Sequence, residues 1–417
     1  MNWKLKKLGW RGVEVGFTAA MYFWGWFFPD QIVLEGPDSV KRLPAEIKKK
    51  KIDKVLVVTD KGLMGLNLLD GLFEELDKAG VKYVVYDETQ PNPTINNVED
   101  ARKLYVDNGC QGIVAFGGGS PMDCAKVAGA RISRPNRSVE NMAGTFMVIM
   151  PTLKKMNGLL PPPLFAVPTT AGTGSETTFA AVITDPDTHD KFAVMDPFIR
   201  AKYAVLDPKL TIGLPKHITS TKGIDALTQA IEGYTNIWYN NKKFNDYGVK
   251  AVKLIFKYLE RAYNDGTDIE ARGQLLLASY YAGMCFTRGG VGYVHGIGHR
   301  LGGLYGVPHG LAMSVILPHV MSDELLAPYV YDKLADLADA VGITGATNED
   351  KAKAFIAEVR AMNERMGIPT GFDCIKEEDI PLIAERAIAE ICPTYPVKHF
   401  FKQEELEKFI KENLILK

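Results

Sequence analysis

Three of the seven histidines in this chain of 417 residues lie within one short stretch. His295, His299 and His309 all fall in VHGIGHRLGGLYGVPHG. His295 and His299 are four residues apart, so they share one face if the stretch is helical. Imidazole nitrogens bind transition metals and transfer protons near neutral pH. This crowding therefore predicts a metal site or a catalytic site.

An acidic residue in an apolar helical segment is the candidate partner of these histidines. Asp225 stands in GIDALTQ, and Gln229 follows one turn later on the same helical face. A lone aspartate in such a helix is also a common cap or ion-pair partner. Its combination with three histidines favours the interpretation that Asp225 completes the site.

A glycine-rich turn is the second candidate site. The strand-like run GIVAF leads into Gly117–Ser120, and Ser120, Pro121 and Asp123 suit the N-cap, first and third positions of a helix. Glycines let backbone N–H groups approach a ligand, and a helix N-terminus favours an anion. In an α/β domain the natural occupant is a dinucleotide pyrophosphate. A capped turn with nothing bound is the alternative, because the usual GxGxxG spacing is absent and Gly118 and Gly119 are adjacent.

A hydroxyl-rich loop and a strand-terminal acid extend this second site. The loop TTAGTGSETT follows another strand-like run, and we expect Thr169, Thr170 and Thr173 to contact a nucleotide. Asp60 ends the run KVLVVTD, where it would accept hydrogen bonds from an adenosine ribose. Its charge would repel a 2′-phosphate, which favours NAD over NADP. The alternatives are a hydrogen-bonded loop and an acid that only ends a strand.

The elements that must position these residues follow two patterns. Apolar runs alternate with helical segments up to about Leu214, which predicts a parallel sheet covered on both faces. Beyond Leu214 the pattern is helical, and Met147–Pro163 is predicted to be a loop. We predict an N-terminal extension (1–30), a Rossmann-like α/β dinucleotide-binding domain (31–214) and an all-helical metal- and substrate-binding domain (215–417). The strand-like runs are KVLVVTD (54–60), YVVYD (83–87), GIVAF (112–116), LFAVP (164–168) and YAVLDP (203–208).

Charge and cysteine content limit the classes of function and the cellular compartments that are expected for the protein. Lys and Arg (49) nearly balance Asp and Glu (50), so no basic excess suggests a nucleic-acid partner. The five cysteines are widely spaced and form no CxxC pair. This pattern indicates a reducing compartment, and we expect a cytoplasmic protein.

The N-terminus carries an uncharged run rich in aromatic residues. Val15–Phe28 follows Lys4, Lys6 and Lys7, as in part of a signal peptide, but Glu14 abuts the run and no small-x-small cleavage site follows. The run is also too short to span a bilayer. We interpret it as a buried or subunit-contacting segment of a homodimer, with no membrane partner.

Taken together, these motifs resemble the iron-containing (group III) alcohol dehydrogenase family. The resemblance implies a dehydroquinate synthase-like fold, in which the active site lies in the cleft between a dinucleotide-binding domain and a helical metal-binding domain. It also implies hydride transfer between NAD(H) and a small primary alcohol or aldehyde whose oxygen is polarised by a divalent metal. The matching segments occur in the family's order and are PNPT (Pro91–Thr94), GGGSPMDCAK (Gly117–Lys126), VPTTAGTGSE (Val167–Glu176), GIDALTQAIEGY (Gly223–Tyr234) and GYVHGIGHRLGGLYGVPHG (Gly292–Gly310).

The resemblance implies a set of metal ligands. The family uses an aspartate and three histidines, and Asp225, His295 and His309 match three of these positions. Gln229 stands where the family pattern DALTHAIE has the third histidine. A glutamine amide oxygen is a weaker ligand than an imidazole. The expected metal is Fe²⁺, with Zn²⁺ as the alternative, in a site weakened by Gln229.

The resemblance also places residues around the nicotinamide cofactor. His299 matches a family histidine beside the nicotinamide, where it would relay a proton to solvent or only pack against the ring. Asn92 of PNPT matches a cofactor contact. Lys191 and Phe286 match residues that line the nicotinamide and substrate cleft. Asp60 matches the position where NAD-using members tend to carry an acid.

Three alternatives stay open at this point. The substrate would be anionic, such as a hydroxy acid or a sulfonated or phosphonated aldehyde, if Arg288 and Arg300 beside the histidine motif meet a negative group. A metal-dependent lyase or cyclase on a related scaffold would use the nicotinamide only transiently. A non-catalytic homologue is suggested only by Gln229 and the N-terminal extension.

Overall fold

A computed structural model of the chain describes residues 3–25, 30–143, 160–187, 191–236 and 241–416. Internal contacts divide the chain into two compact units. One is an α/β unit of Trp26–Gly213 and Thr267–Leu277, and the other is a helical unit of Met1–Gly25, Leu214–Gly266 and Ala278–Lys417. The division after Gly213 lies where the strand-like runs end, and the first helix groups with the helical unit. The three domain ranges given above stay predictions.

A six-stranded parallel sheet forms the centre of the α/β unit, in the order β1-β8-β5-β4-β2-β3. The inner strands β4 and β5 are buried throughout, because helices cover both faces of the sheet. Successive residues of a strand point to opposite faces, so Leu56 packs with Met122 in one hydrophobic cluster while Val57 packs with Leu72 in the other. The strands are β1 (Ile32–Glu35), β2 (Lys54–Val58), β3 (Lys82–Tyr86), β4 (Gly112–Gly117), β5 (Leu164–Pro168) and β8 (Tyr203–Leu206).

The remaining elements of this unit surround the sheet. An antiparallel hairpin is made of β6 (Ala180–Thr184) and β7 (Lys191–Met195). The backbone N–H of Val182 in β6 donates to a carboxylate oxygen of Asp123, 2.9 Å away, which ties the hairpin to α6. The helices are α2 (Leu43–Lys49), α3 (Lys61–Gly65), α4 (Asp70–Lys78), α5 (Ile95–Asp107) and α6 (Gly119–Ser133).

The helical unit is built around one nearly buried helix, α7 (Lys216–Thr235). Glycines let its neighbours come close: a Cβ on Gly223 would lie 2.2 Å from Leu259 Cδ1, and one on Gly310 would lie 2.8 Å from Thr221 O. Because its neighbours pack closely around it, α7 is enclosed, and most of its polar residues are buried. The other helices are α1 (Trp3–Gly25), α8 (Lys242–Asn264), α9 (Ile269–Gly289), α10 (Tyr293–Tyr305), α11 (His309–Ser322), α12 (Ala327–Ala340), α13 (Asn348–Arg365), α14 (Ile380–Ile391) and α15 (Gln403–Asn413). The part of α9 up to Leu277 groups with the α/β unit.

The structure bears on three local expectations. The five cysteines form no disulfide bond with one another. Most of the loop predicted at Met147–Pro163 lies outside the described residues. Among those that are described, no single helix has the length and apolar character needed to cross a membrane, and only α11 and α12 together, bent by 111°, meet that test.

Candidate functional site

The predicted ligands Asp225, His295 and His309 come together in the helical unit. They lie on α7, α10 and the first turn of α11. Asp225 Oδ1 is 3.5 Å from His309 Nε2 and 4.0 Å from His295 Nε2. One ligand atom from each residue lies within 4.8 Å of the other two, which is a spacing that a single metal ion bridges.

The glycines of VHGIGH position this cluster. A Cβ on Gly296 would lie 2.5 Å from Ile391 Cδ1 of α14, and a Cβ on Gly298 would lie 2.1 Å from Met313 Cε of α11. A larger residue at either position would require the end of the Ile391 or Met313 side chain to move. The motif therefore combines two histidines on one face with glycines on the packed faces, which brings His295 up to Asp225.

Glu232 orients His295, and the sequence analysis did not identify it. Its Oε2 lies 2.5 Å from His295 Nδ1, and its Oε1 accepts a hydrogen bond from the Val294 backbone N–H at 2.8 Å. Burial alone would lower the pKa of His295, but the carboxylates of Glu232 and Asp225 raise it. This contact leaves Nε2 on the side of Asp225, as in carboxylate–histidine–metal arrangements. The available signal was a second acid seven residues after Asp225 in a buried helix.

Gln229 contacts the cluster through Asp225. Its Nε2 donates to Asp225 Oδ1 at 3.1 Å, and Lys222 Nζ lies 3.4 Å from Asp225 Oδ2. Burial alone would raise the pKa of Asp225, but His309 and Lys222 hold it below its usual range, so the carboxylate is ionised at neutral pH. In this orientation the amide nitrogen of Gln229 faces Asp225, and a rotation of the amide exchanges nitrogen and oxygen.

The donor set fits a borderline divalent metal. One carboxylate and two imidazoles are ligands that suit Fe²⁺ and Zn²⁺. The His309 side chain is 38% exposed, and its partial burial lowers the pKa of the ring, which favours the neutral form that binds a metal. Asp225 supplies the negative charge that a divalent ion requires.

We expect Glu232→Gln to weaken metal binding about 10-fold. Glutamine replaces one of the two carboxylate oxygens with an NH2 group, so it cannot accept at both positions, from the Val294 N–H and from His295 Nδ1. Competition with a chelating dye measures the affinity. Glu385→Gln, an exposed change on α14, is the matched control. An affinity equal to that of the unmodified protein would show that Glu232 does not orient a ligand.

His299 lies beside the metal cluster. Its ring is stacked on that of His309, with centroids 5.4 Å apart and planes at 22°. Its Nδ1 is 2.6 Å from Glu390 Oε1, and Glu390 also accepts from Tyr395 Oη at 2.5 Å. Burial alone would raise the pKa of Glu390, but His299 and Arg300 lower it to about 2. Glu390, which the sequence analysis missed, thus holds His299 by Nδ1.

The two arginines proposed to meet an anionic substrate have partners inside the protein. Arg300 pairs with Glu390, and Arg288 is buried with its guanidinium over the Phe244 ring, 5.2 Å from the centroid. Both guanidinium groups therefore already have interaction partners within the helical unit. The alternative of an anionic substrate loses the residues that suggested it.

The glycine turn of the α/β unit differs from its prediction in one respect. Helix α6 begins at Gly119 with Gly118 as N-cap, so Ser120 is not the N-cap and Asp123 is not the third residue. The physical reason is the turn at Gly117, whose φ of 147° starts the helix two residues early. No side chain caps this terminus. Its first N–H groups therefore point out of the helix at the carboxyl edge of the sheet, where an anion would bind.

The second loop lies directly against this turn, because β4 and β5 are neighbours. The Thr169 N–H donates to Gly117 O at 3.1 Å. A Cβ on Gly119 would lie 3.2 Å from Thr173 Cγ2, and one on Gly118 would lie 3.5 Å from Thr170 Oγ1. Thr170 Oγ1 is buried and has no hydrogen-bond partner among the residues the structure describes. A polar ligand at this turn would supply one, so the residues fit a dinucleotide.

Asp123 holds the loop in place. Its Oδ1 accepts from Ser175 Oγ at 2.8 Å, and its Oδ2 accepts from β6. Beside it, the buried Lys126 Nζ donates to Ser175 Oγ (2.8 Å), Thr178 Oγ1 (2.7 Å) and Ala180 O (2.9 Å). Lys126 is a positioning residue that the sequence analysis missed, although it stands in GGGSPMDCAK.

Asn92, Ser120 and Lys191 form a connected row. Asn92 has φ 59°, a left-handed conformation that asparagine tolerates. Its backbone N–H donates to Ser120 Oγ at 3.3 Å, and its Oδ1 accepts from Lys191 Nζ at 2.9 Å. The structure thus brings together three residues that were predicted from separate motifs.

Asp60 and Phe286 make local contacts within their own units. Asp60 is the N-cap of α3, where its Oδ1 accepts from the Leu63 N–H at 2.9 Å. Phe286 is half-buried on α9, and its backbone packs against α7, where a Cβ on Gly233 would lie 3.0 Å from Phe286 Cα. Their roles at the cofactor stay predictions.

Comparison with known proteins agrees with these features. The model of iron-containing alcohol dehydrogenases matches residues 29–208, and the model of the C-terminal region of the Fe-containing alcohol dehydrogenase family matches residues 219–414. The chain is 34% identical over 371 residues to the NAD-dependent methanol dehydrogenase of Bacillus methanolicus, covering 88% of this chain and 93% of that protein. It is 33% identical over 364 residues to lactaldehyde reductase of Escherichia coli (strain K12), covering 86% and 91%.

A solved structure gives the same result. The alcohol dehydrogenase from Oenococcus oeni superimposes with a TM-score of 0.84 at 33% identity, covering 92% of this chain and 98% of that one. Both the sheet unit and the helical unit therefore have counterparts in one known fold. The chain belongs to the iron-containing alcohol dehydrogenase family.

Proposed function

We propose that this protein is a metal-dependent alcohol dehydrogenase that transfers a hydride between NAD(H) and a small primary alcohol or aldehyde. The observation that carries the proposal is the cluster of Asp225, His295 and His309. The relatives support the direction of the chemistry, since the two curated ones are named methanol dehydrogenase and lactaldehyde reductase. A lyase or cyclase reaction is not favoured by any of these matches.

The helical unit would supply the polarising site. Asp225, His295 and His309 would hold Fe²⁺, with Zn²⁺ as the alternative, and the metal when bound acts as a Lewis acid on the substrate oxygen. Glu232 fixes the His295 ring through Nδ1. Glu390 binds His299 at Nδ1, so Nε2 is the atom of His299 that exchanges a proton with substrate or solvent.

The α/β unit would bind the dinucleotide at the start of α6. The pyrophosphate would take the N–H groups at Gly118–Ser120, with Thr170 and Thr173 beside it and Asp123 behind the loop. Asn92 and Lys191 would contact the nicotinamide half. Hydride chemistry belongs to the cofactor, and the protein orients it.

We expect Asp60→Asn to raise the use of NADPH relative to NADH about 10-fold, because it removes the charge that repels a 2′-phosphate. Asparagine keeps the oxygen that accepts from the Leu63 N–H, so the cap of α3 is preserved. The ratio of kcat/KM for the two coenzymes is the measurement. Asp323→Asn is the control, since Asp323 also accepts backbone N–H groups, from Leu325 at 2.9 Å. An unchanged ratio would place the ribose elsewhere.

The test of the function is metal analysis of protein purified without oxygen, followed by a panel of aldehydes with NADH and with NADPH. We expect bound iron or zinc and oxidation of NADH by short aldehydes. A protein that binds metal and NADH but reduces no aldehyde would refute the proposed reaction. The homodimer and the cytoplasmic location stay predictions.

A further inference from the structure

The first helix, α1, packs its polar side chains towards the protein. Arg11 donates through its two terminal nitrogens to Val397 O at 2.7 Å and Lys398 O at 2.6 Å. Glu14 is fully buried and pairs with Arg11 at 2.7 Å. The Trp10 ring lies 5.2 Å from that of Phe400. These contacts fix the rotation of α1 about its axis, with its charged and aromatic side facing inward.

The opposite face of α1 is apolar and exposed. Leu5, Leu8, Val13 and Val15 are 62%, 70%, 52% and 54% exposed. At 100° per residue, an arc of about 160° holds these four residues and three glycines, and it contains no charged residue. A Cβ on any of the glycines would meet nothing within 4 Å, so the surface is open along its length. A soluble helix ordinarily presents the reverse pattern, with its apolar face inside.

Positive charges border this face. Lys4 and Lys6 stand at its two edges. Lys7 and Arg11 add two positive charges and Glu14 one negative charge, so the first fourteen residues carry a net charge of +3. The net charge of the whole chain is −1. Lys6 Nζ lies 4.9 Å from the centre of the Trp10 ring. A leucine and valine face edged by lysines is typical of helices that lie in the surface of an anionic bilayer.

We propose that α1 docks this protein on an anionic lipid surface through Leu5, Leu8, Val13 and Val15. Like charges at the edges of the face oppose its pairing with a second copy, whereas lipid phosphates complement them. The run Val15–Phe28, which begins within α1, is uncharged in sequence and rich in the aromatic residues that favour a membrane interface. This proposal departs from the expectation of no membrane partner, which rested on the length of the run and on its missing signal-peptide features.

The experiment is flotation of the full-length protein with vesicles of phosphatidylcholine alone or mixed with phosphatidylglycerol. We expect binding to the mixed vesicles, weakened by salt. Leu8→Glu should lower the partition coefficient at least about 10-fold, because it places a charge in the apolar face. Val106→Glu is the matched control, since Val106 is 56% exposed on α5. The double change Lys4→Glu with Lys6→Glu should abolish the preference for phosphatidylglycerol.

Three outcomes would overturn the proposal. The first is no binding of the unmodified protein to either vesicle. The second is equal binding by the Leu8→Glu and Val106→Glu proteins. The third combines two results: the unmodified protein does not bind vesicles, and light scattering gives a smaller particle mass for the Leu8→Glu protein than for the unmodified and Val106→Glu proteins. That combination would assign the face to contact with a second copy of this chain. Unchanged aldehyde reduction and unchanged Tm of the Leu8→Glu protein show that it remains folded.

Discussion

His295→Ala removes the bound metal and lowers kcat/KM roughly 1,000-fold, as expected when a Lewis acid that supplies several kcal/mol is lost. His295 supplies one of the three donors of the cluster, and its Nε2 lies 4.0 Å from Asp225 Oδ1. Two remaining donors cannot hold a borderline metal at ordinary concentrations. The measurement pairs metal content by atomic emission with the kinetics of aldehyde reduction, because the two should fall together.

The control for this change is His217→Ala. His217 is exposed in the first turn of α7, the same helix that carries Asp225, so it tests the general effect of losing an imidazole. NADH binding by fluorescence, which we propose to take place in the α/β unit, should be unchanged in both proteins. If the His295→Ala protein keeps full turnover with no bound metal, polarisation by a metal at this cluster is wrong.

Part of the candidate site could be predicted from the sequence, because the spacing of residues within one helix is local information. Two histidines one turn apart share a helix face, and an acid in a buried helix needs a partner. Their spacing could place His295 and His299 on one face, whereas the assignment of Asp225, His295 and His309 as ligands, which lie on three different helices, came from the resemblance to the iron-containing family. Glu232 and Glu390 could not be predicted, because each meets its histidine from a different helix, and the pairing depends on how the helices pack.

The sheet shows the same division between local and non-local information. Four central strands and β3 were evident as apolar runs, since burial on both faces leaves a continuous signal. The edge strand β1 has one buried residue in four and pairs only with β8, so its sequence carries little pattern. The hairpin of β6 and β7 is half-exposed and was missed for the same reason.

The helix start after β4 illustrates a different kind of error. Ser120-Pro121 is a good local signal for an N-cap and first position. The turn at Gly117 instead begins α6 at Gly119, which frees Ser120 Oγ to accept the Asn92 N–H. The glycine turn thus overrode the local signal for a cap at Ser120.

Gln229→His is expected to tighten metal binding roughly 100-fold, about 2.7 kcal/mol. Position 229 is on α7, one turn from Asp225, and its side chain already reaches Asp225 Oδ1 at 3.1 Å. An imidazole there would add a nitrogen donor to the carboxylate and the two histidines, which completes a four-ligand site. Equilibrium competition against a chelator for Fe²⁺ without oxygen, and for Zn²⁺, measures the change.

The control is Gln274→His, which adds a histidine to a half-buried position of α9 away from the cluster. It should leave the affinity unchanged, so that any gain at 229 belongs to the site. Unchanged affinity of the Gln229→His protein would show that position 229 does not reach the metal. Tighter binding with unchanged kcat would mean that three ligands suffice for catalysis and that Gln229 only makes the metal easier to lose. Tighter binding with higher kcat would mean instead that the protein with Gln229 works with an incompletely held metal, since a ligand that holds the ion more firmly also improves its effect on the substrate oxygen.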